Sequence, residues 1–191
     1  MMDTSIETNR MEASTDTAAA ALWIGLVTIG SVVGSLAFAC AAPLAATAAV
    51  AGLKMRTGEG LALVAAAWLA NQLVGFLVLD YPQSWDSFAW GAAIGIASVI
   101  AFAAAALLAR MRLPELAAIA AAFAAAFGVY EAALYAATAA LPSSSEAFSG
   151  AVIVRILEVN AVALIALLLA HRGMVMLRIL KPLPIGTPTT A

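Results

Sequence analysis

The sequence predicts an all-α fold, a polytopic membrane bundle of six transmembrane segments with both termini cytoplasmic. Hydrophobic residues fill 64% of its 191 positions and charged ones 10%, against roughly 45–50% and 25% in a soluble domain. The mean hydropathy is +1.02. The apolar runs are about as long as the ~20 residues that cross a bilayer as helix, and none shows the roughly ten-residue alternation of an outer-membrane barrel. The third observation is the sign of the loops. Lys54 with Arg56, Arg110 with Arg112, and Arg172, Arg178 and Lys181 form basic groups, while the intervening loops carry only Asp80, Asp86 and Glu146. By the positive-inside rule the basic loops are cytoplasmic and the acidic ones external.

Residues 1–17 are polar and acidic without apolar period, and read as a disordered cytoplasmic tail. They lack the positive n-region of a secretory signal. Residues 18–171 form one transmembrane domain. Its first stretch, Ala18 to Leu53, is nearly uninterrupted apolar sequence that would make a helix of about 54 Å, too long for one crossing of a ~30 Å core. It must turn. Pro43 disfavours helical geometry at Ala42 and removes a backbone donor, which places the turn near Ala39 to Pro43 and leaves a second leg over 43–53 that is short for a full span and is expected to be tilted or only partly inserted. A five-segment chain with an external N-terminus is the alternative. The first leg carries Ala21-xxx-Gly25 and Gly30-xxx-Gly34, a spacing that exposes backbone for helix contact inside the bundle or with a separate membrane subunit. The later spans are about 60–79, 87–109, 115–140 and 148–170. Residues 172–191, rich in proline, form a cytoplasmic C-terminal tail.

Polar residues share one depth. At 1.5 Å per residue, Asn71 lies about 12 Å in from Leu79, Glu131 about 14 Å in from Ala140, Arg155 about 10 Å and Glu158 about 15 Å in from Phe148. Gln72 adjoins Asn71, Tyr135 flanks Glu131, and Tyr81, Trp85 and Trp90 lie nearer the external surface. Ionisable groups within spans mark functional sites by default, and several at one level point to an externally open binding pocket. Each also has a structural reading. Arg155 and Glu158, three apart, can pair; Asn71 and Gln72 can join helices; Trp85, Trp90 and Tyr81 can form an interfacial belt. His171, beside Arg172 at the cytoplasmic edge, reads as a solvated end residue.

The excluded classes are equally informative. A net charge of −2 offers no footprint for nucleic acid. One cysteine and one histidine support neither a disulfide framework nor a His-rich metal centre. Without HExxH, GxSxG or a P-loop, no hydrolytic or ATP-driven chemistry can be placed on the chain, so the expectation is a non-enzyme without cofactor.

The run Ala41-Ala-Pro-Leu-Ala-Ala-Thr-Ala-Ala-Val-Ala-Gly52-Leu-Lys-Met-Arg-Thr-Gly-Glu-Gly60, with the chain's size and segment number, resembles the membrane-embedded substrate-binding (S) components of energy-coupling-factor (ECF) vitamin transporters. The resemblance covers roughly residues 18–171. It implies external substrate capture between the loops near Cys40, Asp80 to Trp90, and Leu141 to Gly150. It also implies docking of a coupling subunit with its ATPases on the first helix at Ala21 and Gly25. Solitary members of cobalamin type imply a corrinoid substrate with Cys40 as a cobalt ligand. The sequence reading is therefore capture of a vitamin-like molecule, cobalamin favoured, in a bacterial inner membrane, with the lipid bilayer as the other partner. A cobalt-related permease, or a structural or assembly protein without ligand, are the alternatives.

Overall fold

A helix of only eleven residues organises the molecule. The computed structural model describes residues 3–37, 42–111, 113–144 and 146–181, and the side chains of these except at 3–12 and 34–37. Its helices are α1 (Asp3–Ala37), α2 (Leu44–Lys54), α3 (Thr57–Leu77), α4 (Trp85–Ala109), α5 (Glu115–Ala137) and α6 (Gly150–Met176). Five contain stretches long and apolar enough to cross a membrane: Ala13–Val33, Thr57–Leu77, Trp85–Ala109, Glu115–Ala137 and Gly150–Met176. The protein is a polytopic membrane helical bundle.

The exception, α2, is about 16 Å long and reaches through only half of a ~30 Å core. Pro43 sets its start: its carbonyl accepts from Thr47 N at 3.0 Å and from Thr47 Oγ1 at 2.9 Å. Nine of its eleven residues are buried, mostly alanine. Among lipid tails no hydrophobic force draws helices together, so association depends on close van der Waals packing and hydrogen bonds. The small side chains of α2 permit that packing on all sides, against α3, α4, α5 and α6. At Gly52 an added Cβ would lie 2.7 Å from Ala106 N and 3.0 Å from Ala105 C, so α2 and α4 touch backbone to backbone there. Beyond α2, α1 packs on α3, α3 on α4, and α4 on α5, while α6 joins the bundle chiefly through α2.

The basic loops gather at the end where α2 finishes. Glu115 Oε1 lies 3.0 Å from Lys54 Nζ and 3.9 Å from Arg172 Nη2. Lys181 Nζ meets Asp16 Oδ2 at 2.8 Å, tying the start of the first span to the end of the last. Both ends of the bundle are therefore on the same side, as the loop charges predict. One expectation changes: residues 3–17 continue α1 as helix. The second leg, expected to be tilted or only partly inserted, is a buried half-span inside the bundle.

Burial divides the bundle into two halves. Near α2, positions such as Leu63, Ala67, Ala101, Ala105, Ala118 and Ala122 are fully enclosed. Toward the acidic end, the buried positions of α3, α4 and α5 thin out to Gly75, Gly91 and Tyr130.

Candidate functional site

Most of the polar residues singled out in the sequence lie in the acidic half, and several tie helices together. Trp68 Nε1 donates to the Gly91 carbonyl at 2.8 Å. Gln72 Oε1 rests on the same glycine, where an added Cβ would come within 2.6 Å of it, and the Trp68 indole covers Gly95 in the same manner. Gly91-xxx-Gly95 is thus the small-residue seam of the α3–α4 contact, a role the sequence reading did not assign. Asn71, half-buried, sits one residue from that seam. Trp90 Nε1 donates to the Pro142 carbonyl at 2.9 Å, joining α4 to the loop before α6.

The turn after α3 is built on the other aromatic candidates. Asp80 adopts a left-handed φ of 52°, which its short polar side chain tolerates. Tyr81 N then reaches the Gly75 carbonyl at 3.0 Å, and its ring lies over Gly75, 2.7 Å from where a Cβ would be. Trp85, 68% exposed, stands at the bundle surface, as an interfacial residue would. Tyr135 is also exposed and meets Phe148 edge-on at 5.5 Å.

The charged candidates do not converge. Glu131 is half-buried, and its Oε1 is enclosed without a hydrogen-bond partner among the described residues. Arg155 and Glu158 are exposed and form no ion pair with each other. They lie on the far side of α6 from the bundle, because the inner face is fixed by Asn160. That side chain accepts from Ala46 N at 3.0 Å through Oδ1 and donates to the Ile156 carbonyl at 2.9 Å through Nδ2. Ala46 lies in the first turn of α2, where backbone N–H groups have no partner within the helix. Asn160 therefore caps a buried helix end from 114 residues away. In the sequence its one signal is a lone amide in the apolar run Val159 to Leu169, which was not assigned a role. Cys40 lies outside the described residues, among which no group of three or more His, Cys, Asp or Glu could hold a metal ion.

A cleft of about 360 Å³ opens elsewhere, between α1 and α6, with Pro43 and Thr47 at its floor. Its walls are apolar except for Trp23, Ser31 and Thr47. Trp23 is 1% exposed, and both its Nε1 and Ser31 Oγ are buried without hydrogen-bond partners among the described residues. Leu26, Gly30 and Val162 along the cleft are exposed, so it opens sideways. His171, expected to be solvated, is instead buried beside the cleft, edge-on to Trp23 at 5.5 Å. The local reason is its position on the same stripe of α6 as Asn160 and Leu164, which faces α2 and α1.

The stripe of small residues on α1 leaves room beside it at its described positions. Ala21 is exposed, and a Cβ built on Gly25 or Gly30 would meet nothing within 4 Å. Comparison with family models, with curated proteins and with solved structures finds no match.

Proposed function

We propose that the chain is a membrane-embedded capture protein for a small vitamin-like molecule with a mainly apolar body, seated in the cleft between α1 and α6. The observation that carries this reading is the pairing of an apolar cleft with two buried groups, Trp23 Nε1 and Ser31 Oγ, that have no hydrogen-bond partner among the described residues. A buried donor left unpaired costs free energy, and a ligand acceptor that reaches it recovers that loss. The volume is at the small end of ligand pockets, ~300–1,000 Å³. The apolar lining suits a slim apolar molecule better than an amide-rimmed corrinoid, which stays in the test as a comparison. In this reading the basic end faces the cytoplasm of a bacterial inner membrane, and the open Ala21 and Gly25 face of α1 is where a coupling subunit with its ATPases docks.

Thermal unfolding of detergent-solubilised protein against a panel of vitamins, cobalamin included, tests the proposal. A ligand present at 100 times its Kd stabilises by about 2.7 kcal/mol. One member should raise the Tm of the wild type and fail to do so in Ala166→Phe, which fills the cleft from an exposed position, and in Trp23→Phe. No rise with any vitamin, or an unchanged rise in both variants, would contradict it. A structural protein without ligand is the second reading, favoured by the use of Gln72, Trp68 and Trp90 as ties between helices and loops.

A further inference from the structure

The charged pair on the outer face of α6 has no ion-pair partner among the described residues. At about 100° per residue, Glu158 is turned about 160° from Asn160 and Arg155 about 140°. Both side chains thus point away from α2. They lie about 8 and 12 Å into the span from Gly150, where charge exposed to hydrocarbon is costly and is normally found paired or turned inward. Arg155 can carry its guanidinium toward the interface on its long stem. Glu158 is deeper and shorter, and the nearest cation along its own helix, Arg155, does not bond it.

The same face continues as Val162, Ile165 and Leu169, which are 59%, 59% and 64% exposed. The spacing from Arg155 through Glu158, Val162 and Ile165 to Leu169 alternates three and four residues, the 3.5-residue period of a seam between two supercoiled helices. The three aliphatic positions would form the apolar part of that seam and the charged pair its polar end. We propose that a second copy of this chain packs along this face in parallel, about a twofold axis along the membrane normal, pairing Arg155 of each copy with Glu158 of the other.

The charges are complementary under that operation. In an isologous contact residue i meets j and j meets i, so one offset of three residues, about 4.5 Å along the axis, satisfies both ends. An antiparallel pairing would place the basic end of one copy on the opposite side of the membrane, against the loop charges. Of the seam positions only Val162 also borders the α1–α6 cleft; Arg155, Glu158, Ile165 and Leu169 lie outside it, so trapping at Ile165 reads the contact separately from ligand binding in the cleft.

Disulfide trapping of the full chain in native membranes tests it, in a Cys40→Ala background. Ile165→Cys should give a cross-linked species of twice the chain mass on oxidation, and Ile96→Cys, equally exposed on α4, should not. Introduced beside Ile165→Cys, Arg155→Glu alone or Glu158→Arg alone places like charges together and should lower the trapped fraction about tenfold. The two combined should restore it, as a charge swap does for a direct pair. The swap also shows that each change leaves the chain able to fold. Equal trapping at 165 and 96, a heavier adduct with another protein in place of the dimer, or a swap that fails to restore trapping would overturn the proposal.

Discussion

The two halves of the bundle are assembled by different means. In the half nearer the basic end, α2 fills the centre, and alanine and glycine bring backbones into contact, as at Gly52 against Ala105 and Ala106. In the other half, among the described residues, no helix fills the centre, few positions are fully buried, and helices are held by single side chains reaching backbone carbonyls: Trp68 to Gly91, Trp90 to Pro142. The difference follows from one residue. Pro43 begins α2 halfway through the membrane, and everything beyond that level is left without its packing partner. In a bilayer, shape complementarity does what water exclusion does in a soluble core. The half that has it is tight, and the other is held by fewer contacts.

Gly52→Val tests the tight half most severely. The new side chain begins 2.7 Å from a backbone nitrogen, so α2 and α4 must separate; overpacking of this kind costs about 3 kcal/mol. A large fall in Tm in mild detergent is expected. Asn160→Ala comes next, because it leaves Ala46 N–H unpaired inside the bundle, at about 1–3 kcal/mol. Asn160→Asp, which keeps the acceptor toward Ala46, should recover part of the lost Tm. In the loose half, Trp68→Phe removes one interhelical hydrogen bond, and such bonds in membranes average about 0.6 kcal/mol. If Trp68→Phe proved as damaging as Gly52→Val, the contrast between the halves would fail. A comparably small effect belongs to the charged end. Lys54→Ala should cost at most about 1 kcal/mol, because Glu115 is half exposed, and the difference from wild type should shrink as salt is added.

The spans and the turn were legible in the sequence because both depend on local properties. Long apolar runs cross, and Pro43 breaks a run too long to cross once. The short second leg followed by length alone. What could not be read was orientation about each helix axis. In a soluble bundle the polar face marks solvent, but in lipid both faces of α6 are apolar, so nothing local turned Asn160 inward and Arg155 with Glu158 outward. The depth of those residues was computable and their direction was not. Asn160 escaped notice for a related reason, since its partner is a backbone amide of another helix. The cleft was also invisible, because it arises from α6 docking on α2 rather than along α1. Among the aromatic candidates, Trp90 and Tyr81 sit where the sequence put them, at the acidic end, but their contacts tie loops and turns.

Hydrogen exchange of the full chain in lipid nanodiscs tests the division most directly. Amides of α2 and of the adjoining stretches 60–67 and 118–126 should be the most protected in the molecule. The stretches 70–77 and 128–137 of the same helices, α3 and α5, should exchange much faster, since they lack a central partner. Uniform protection along each helix, or fast exchange within α2, would contradict a bundle packed around a half-length helix.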